Sequence, residues 1–208
     1  ARASSLDRGP PMSVGYRAVQ WSKPKRVYDL VVAAAAASFI AAYFATSKWV
    51  FAGDHAVSDE VLLIRALGSC VFVLLHVILA IGPLARLHPR FLPVLFNRRH
   101  LGVFTFALAT GHAAISIGYY HGFGVLDPLT SLLTSNVQFA SISAFPFELL
   151  GLGAWLILCA LAATSHDFWL RSLSPRTWKS LHMSVYAAYG LVVAHVMLGS
   201  TQSSDSWF

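Results

Sequence analysis

The chain has 208 residues, of which 56% are hydrophobic and 12% charged, and its mean hydropathy is +0.61. Soluble domains carry roughly a quarter charged residues, so this composition excludes one and indicates an integral membrane protein. The net charge of +6 does not indicate a nucleic-acid partner, because the basic residues sort by loop and mark topology in a lipid bilayer.

Residues 1–26 form a basic tail, with Arg2, Arg8, Arg17, Lys23, Lys25 and Arg26 against the single acid Asp7. No apolar stretch in it identifies a signal peptide. Five apolar segments follow, near Tyr28–Phe51, Val61–Leu84, Leu101–Tyr120, Phe147–Phe168 and Leu181–Gly199. Each is about the 20 helical residues that cross a bilayer core. Gly102, Gly111, Gly118, Gly151, Gly153 and Gly190 would weaken soluble helices, but in a membrane they let a neighbouring helix or a cofactor approach closely. Residues 200–208 are a short C-terminal tail.

Loop charges orient the spans. The second connection carries Arg86, Arg90, Arg98 and Arg99 with no acid, and the fourth carries Arg171, Arg176 and Lys179. The third, from Tyr120 to Pro146, has Asp127 and no Lys or Arg. Basic loops stay inside, which puts the N-terminus inside and the C-terminus outside. The long, apolar third connection is expected to cap a cofactor, form a quinone pocket, contact a partner or lie on the membrane surface. Cys70 and Cys159 fall in apolar spans and receive no chemistry.

The third and fifth segments carry the chemical signal. His100 and His112 are 12 positions apart, and His182 and His195 are 13 apart, or about 18 and 19.5 Å of helix. Ionisable groups at membrane depth are costly and mark functional sites. The topology pairs His112 with His195 near the outer face and His100 with His182 near the inner one. Two imidazoles can fill the axial positions of a haem iron, so these four are the candidate metal ligands. Positions 12 or 13 apart diverge by roughly 120–140° around an ideal helix, so the two sites need helix tilt, a local distortion, for which Gly111 and Gly190 are places, or haems that approach different flanks. His76 on the second segment is a rival inner ligand, with a hydrogen bond to a neighbouring helix as its alternative role. Arg65, Arg98 and Arg99 are candidate partners for haem propionates, although snorkelling or topology also accounts for them. Trp178 and Trp207 read as interfacial anchors, and His55, His88, His121 and His166 as solvated or headgroup-facing. Glu148 is either a proton-handling group or an acid at a helix N-terminus.

The stretches IGPLARL, NRRHLGVFTFALATGH and WKSLHMSVYAAYGLVVAH, in that order over roughly residues 61–199, resemble the ferric-reductase-like transmembrane domain superfamily. That superfamily includes eukaryotic ferric reductases, NADPH oxidases and the haem-binding membrane subunit of bacterial methionine sulfoxide reductase systems, which is the nearest of the three. The five segments make an all-α integral membrane bundle of five transmembrane helices (residues 27–199), and the resemblance implies that it encloses b-type haem, two haems or one, with electrons moved across the bilayer. Carried over residue by residue, His112, His182 and His195 match histidines of the bacterial pattern, whereas His100 matches a position used by the oxidases. Six spans are usual in the superfamily, against five here.

The chain has no G-x-G-x-x-G after a strand, so no nicotinamide or flavin domain is expected within it. Electrons would come from or go to a quinone or other redox subunits, iron-sulfur or flavoprotein, in a bacterial inner membrane or, alternatively, a mitochondrial one. The expected function is a transmembrane b-type cytochrome relaying electrons between an inner and an outer site. The alternatives are a quinone-reactive anchor subunit of a respiratory complex and a haem-free structural membrane subunit.

Overall fold

A computed structural model describes residues 23–50, 57–134, 137–141 and 145–202, apart from the side chains at positions 93, 96, 167, 170 and 171. The basic tail up to residue 22, His55 and Trp207 lie outside the described residues. Among these the protein is helical throughout: α1 (Lys23–Val50), α2 (Asp59–Leu87), a short 3-10 turn at Pro89–Phe91, α3 (Leu92–His121), α4 (Pro128–Thr134), α5 (Phe147–Ala163), α6 (Asp167–Ser172), α7 (Pro175–Met183) and α8 (Val185–Gln202).

Length and apolarity qualify α1, α2, α3 and the α7–α8 run Pro175–Gln202 to cross a membrane, while α5 is a shorter apolar helix of 17 residues. The expected fourth segment ended at Phe168, yet α5 stops at Ala163. The hydroxyls of Thr164 and Ser165 donate to Ala160 O and Leu161 O at 2.7 Å each, and the His166 ring then caps α6 by accepting from Phe168 N. Hydroxyls and imidazoles that satisfy backbone groups locally in this way end a helix that apolar periodicity alone would extend.

The fifth segment is also divided. Its N-terminal part, α7, starts at Ser174, whose hydroxyl accepts from Thr177 N, and ends at Ser184. There the Ser184 amide and hydroxyl both bond to Leu181 O, at 3.0 and 2.6 Å. The break lies at Ser184 rather than at Gly190.

The helices pack mainly in two pairs, α2 with α3 and α5 with α8, and α3 bridges to α5 while α1 rests on α2 and α3. The central cluster joins both pairs through Val71 and Leu75 of α2, Ala109 of α3, Leu158 and Leu161 of α5 and Ala188 of α8. Leu101, Thr105 and Ala109 recur every four residues on α3 and are all buried, which gives α3 one inward stripe. Thr105 bonds its own helix at Leu101 O, 2.7 Å, and so hides its hydroxyl. Between the pairs, Trp155 Nε1 donates to Thr110 Oγ1 at 3.0 Å. Around the outside, Leu30, Val31, Val73, Val77, Val103, Leu156 and Val196 are exposed. An apolar girdle of this kind is disfavoured in water and suits lipid.

Where the C-terminal end of α1 meets the start of α2, Lys48 lies 2.8 Å from Asp59. The Ser58 hydroxyl accepts from Val61 N as the α2 cap and also meets Tyr119 Oη at 3.3 Å. His121, expected to be solvated, is instead buried and bonds Ser131 Oγ at 3.0 Å, which fastens α4 against the end of α3. His88 caps the 3-10 turn by accepting from Arg90 N. Glu148 sits in the first turn of α5, the position its alternative reading gave it.

Candidate functional site

His112 of α3 and His195 of α8 face one another across the two helix pairs, their ring centroids 6.5 Å apart and their planes at 85°. His112 Nδ1 lies 2.9 Å from Ile64 O of α2, and His195 Nδ1 lies 2.8 Å from Phe147 O of α5. A carbonyl only accepts, so each Nδ1 carries the proton and donates. In the neutral ring this leaves Nε2 with a free lone pair, the form in which histidine binds a metal.

Packing supports both rings. A Cβ at Gly68 would stand 3.0 Å from His112 Cε1, and one at Gly151 would stand 2.8 Å from both Cε1 and Nδ1 of His195. Gly199, one turn past His195, makes similar room for the Phe147 ring, which a Cβ there would meet at 3.1 Å. Among the described residues no group of three His, Cys, Asp or Glu side chains gathers to hold a bare metal ion. What the site offers is two neighbouring imidazoles on different helices, which would suit a metal that brings further ligands of its own, as haem iron does. His112 and His195 would hold such a group through Nε2, and it would supply one-electron iron chemistry at this place.

His182 shows the same tautomer at the other end of the segment. Its Nδ1 is 3.0 Å from Trp178 O, its ring stacks on Trp178 at 3.8 Å, and its Nε2 is buried with no hydrogen-bond partner. A buried nitrogen acceptor with no donor among the described residues is costly, and a metal would satisfy it. Arg98 and Arg99 are close enough to act on this imidazole electrostatically. Trp178, expected as an interfacial anchor, also donates from Nε1 to Thr164 O at 3.3 Å.

The other sequence candidates have different partners. His100 Nδ1 pairs with Asp29 of α1 at 3.2 Å. The direction is the one that 12 residues of undistorted helix impose, because His100 and His112 then diverge by about 120°. His76 uses both nitrogens: Nδ1 donates to Phe72 O at 2.7 Å, so Nε2 accepts from Tyr189 Oη at 2.8 Å, which is the helix-to-helix bond foreseen as its alternative role. Arg65 is exposed on α2 near Tyr120. Sequence reasoning missed Gly68, Ile64 and Phe147. Gly68 was visible as a glycine inside an apolar span, but nothing in the sequence shows that a histidine 44 residues later fills its place.

A family model described as the ferric reductase like transmembrane component matches residues 65–193. The match includes His112 and His182 and stops two residues short of His195. Among similar proteins, the protein-methionine-sulfoxide reductase heme-binding subunit MsrQ of Bordetella pertussis is 34% identical over 154 residues, covering 73% of this chain and 68% of that protein. The protein of the same name from Caulobacter vibrioides is 32% identical over 161 residues, 76% and 71% of the two chains. That from Xanthomonas axonopodis pv. citri is 35% identical over 148 residues, 71% and 62%. No solved structure matches. With a family model spanning most of the bundle and relatives aligned over more than two thirds of the chain, this protein belongs to the ferric reductase-like transmembrane family.

Proposed function

We propose that the chain is a transmembrane b-type cytochrome, the haem-binding membrane subunit of a methionine sulfoxide reductase system. In this reading it relays single electrons from an inner site to an outer one and on to a partner that reduces methionine sulfoxide. The observation that carries the reading is the adjacent pair His112 and His195, their ring centroids 6.5 Å apart, with each Nδ1 committed to a carbonyl so that Nε2 is the acceptor of the neutral ring.

The roles of the residues follow from their contacts. His112 and His195 hold the outer haem, and Ile64 O and Phe147 O keep both rings in the metal-binding tautomer. His182 holds the inner haem through the Nε2 that has no protein partner, with Arg98 and Arg99 as cations for its carboxylates. Arg65 serves the outer carboxylates. His100 joins the inner site as a fourth ligand through Nε2, with Asp29 holding its Nδ1 as a carboxylate that orients a ligand imidazole. The apolar shell of Val71, Leu75, Ala109 and Leu158 keeps water away from the path, and burial of this kind is one lever on a haem's potential. A bound haem supplies the one-electron iron chemistry; the chain supplies ligands, orientation and dielectric. The Lys and Arg distribution supports an N-terminus on the inner face of a bacterial inner membrane.

A reduced-minus-oxidised spectrum of the purified full chain tests the reading. A b-type α band with about two haems per chain is expected, His112→Ala and His195→Ala should abolish the same haem, and His182→Ala should abolish the other. A colourless protein, or ligand variants with unchanged spectra, would leave a haem-free structural subunit.

A second reading, a quinone-reactive anchor, rests on a cavity of about 320 Å³ between α1, α2 and α3, lined by Tyr28, Val32, Phe39, Cys70, Val77 and Leu101 among others. The Asp29–His100 pair adjoins Tyr28 and Leu101 in sequence. Quinol oxidation that is inhibitor-sensitive and lost in Asp29→Asn would favour it.

A further inference from the structure

We infer that Gly68 and Gly151, each with the carbonyl one turn before it, are positioning residues that form two copies of one device for presenting a ligand histidine. The inference rests on the haem reading above and adds to it the means by which each ring is aimed.

In both cases the acceptor is residue i of a helix and the glycine is residue i+4. Ile64 O takes the proton of His112 while Gly68 leaves space for the same ring, and Phe147 O takes that of His195 while Gly151 does likewise. The spacing has a physical cause. Inside an α-helix the carbonyl of residue i already accepts from the amide of residue i+4, so a second donor must approach it past the side chain at i+4. A glycine there opens that approach. The two helices that hold the histidines, α3 and α8, therefore each lie against a helix that holds the glycine, α2 and α5.

The two copies differ in tightness. A Cβ at position 151 would meet two atoms of His195 at 2.8 Å, closer than ordinary packing permits, so the ring or the helix must shift. A Cβ at position 68 would meet His112 Cε1 at 3.0 Å, next to Nδ1 at 3.2 Å. Other glycines on the same helices lack this role: Gly82 of α2 has nothing within 4 Å, and Gly153 of α5 meets only Leu191 at 3.5 Å.

The test compares four single variants of the full chain in detergent, Gly68→Ala, Gly151→Ala, Gly82→Ala and Gly153→Ala, by retention of haem b and by the low-spin signature of two axial histidines. Partners that orient a ligand are typically worth about 10- to 100-fold in metal affinity. Gly151→Ala should lose haem by at least about tenfold together with its low-spin signal. Gly68→Ala should weaken it less, and the two controls should match the parent. Equal behaviour of all four, or a larger loss in the controls, overturns the inference. A separate readout needs no haem: nitrogen chemical shifts of the haem-free parent should show His112 and His195 protonated at Nδ1. Protonation at Nε2 would overturn the device even in a protein that binds haem. Nδ1 protonation in a protein that never takes up haem would uphold the device and remove the cytochrome reading.

Discussion

A double-mutant cycle between His112 and His195 separates a shared ligand pair from two packing residues. In the haem-free protein each ring makes one hydrogen bond to the backbone of its own helix pair, and the rings stand 6.5 Å apart, centroid to centroid, in an edge-on arrangement. Each Ala substitution then costs one part-buried hydrogen bond, about 1 kcal/mol, plus some lost packing. Sites more than about 7–10 Å apart without a shared partner add to within about 0.5 kcal/mol. These rings stand just inside that range, so the haem-free cycle should show a coupling of no more than about 0.5–1 kcal/mol, well below that of the loaded protein. With haem present both rings serve one iron. Removing a ligand costs more than removing a partner that orients it, so either single variant should weaken retention by at least about 100-fold, or ~2.8 kcal/mol at 1.4 kcal/mol per factor of ten, and the second substitution should add little. The assay is thermal unfolding in detergent for the haem-free form and haem transfer to an acceptor protein for the loaded one. Additive losses in the loaded protein would refute a shared iron, and strong coupling in the haem-free protein would mean that the rings interact directly.

Trp155→Phe removes the bond to Thr110 that ties the two pairs and should cost about 1 kcal/mol by thermal unfolding, with the His112 and His195 tautomers unchanged. Ser58→Ala deletes the α2 cap and should cost about 1 kcal/mol, read in the same way. Asp59→Asn breaks an exposed ion pair with Lys48 and should change stability by less than about 1 kcal/mol. His121→Ala should free α4 from the end of α3, raising amide exchange at Pro128–Thr134 while leaving α5 and α8 protected.

The apolar spans were legible because long apolar runs are expensive in water, and the histidines stood out as candidates because ionisable rings are expensive in lipid. The pairing of His112 with His195 followed from depth alone. Helix ends were not legible in the same way, since Thr164, Ser165 and Ser184 act through short hydrogen bonds to carbonyls three or four residues back, and the hydropathy pattern runs straight through them. The divergence of roughly 130° within each histidine pair pointed to helix tilt, a local distortion or haems on different flanks. On the fifth segment the helix is broken at Ser184, between His182 and His195. On α3 no distortion interrupts the helix, and His100 turns to Asp29. Gly68 illustrates a different limit, because its role exists only once α2 and α3 lie side by side.

The arrangement divides the work between two kinds of contact. His112 and His195 are each locked inside their own helix pair, His112 by α2 and His195 by α5, so the aim of each ring survives small movements of the other pair. The gap between the rings is set instead by how the pairs dock, through Trp155 and Thr110 and through the cluster of Val71, Leu75, Ala109, Leu158, Leu161 and Ala188. Ring orientation and ring separation are therefore controlled by different residues. A substitution at the docking surface should alter the strength of axial ligation without altering the tautomer, whereas one in a glycine cradle should disturb both.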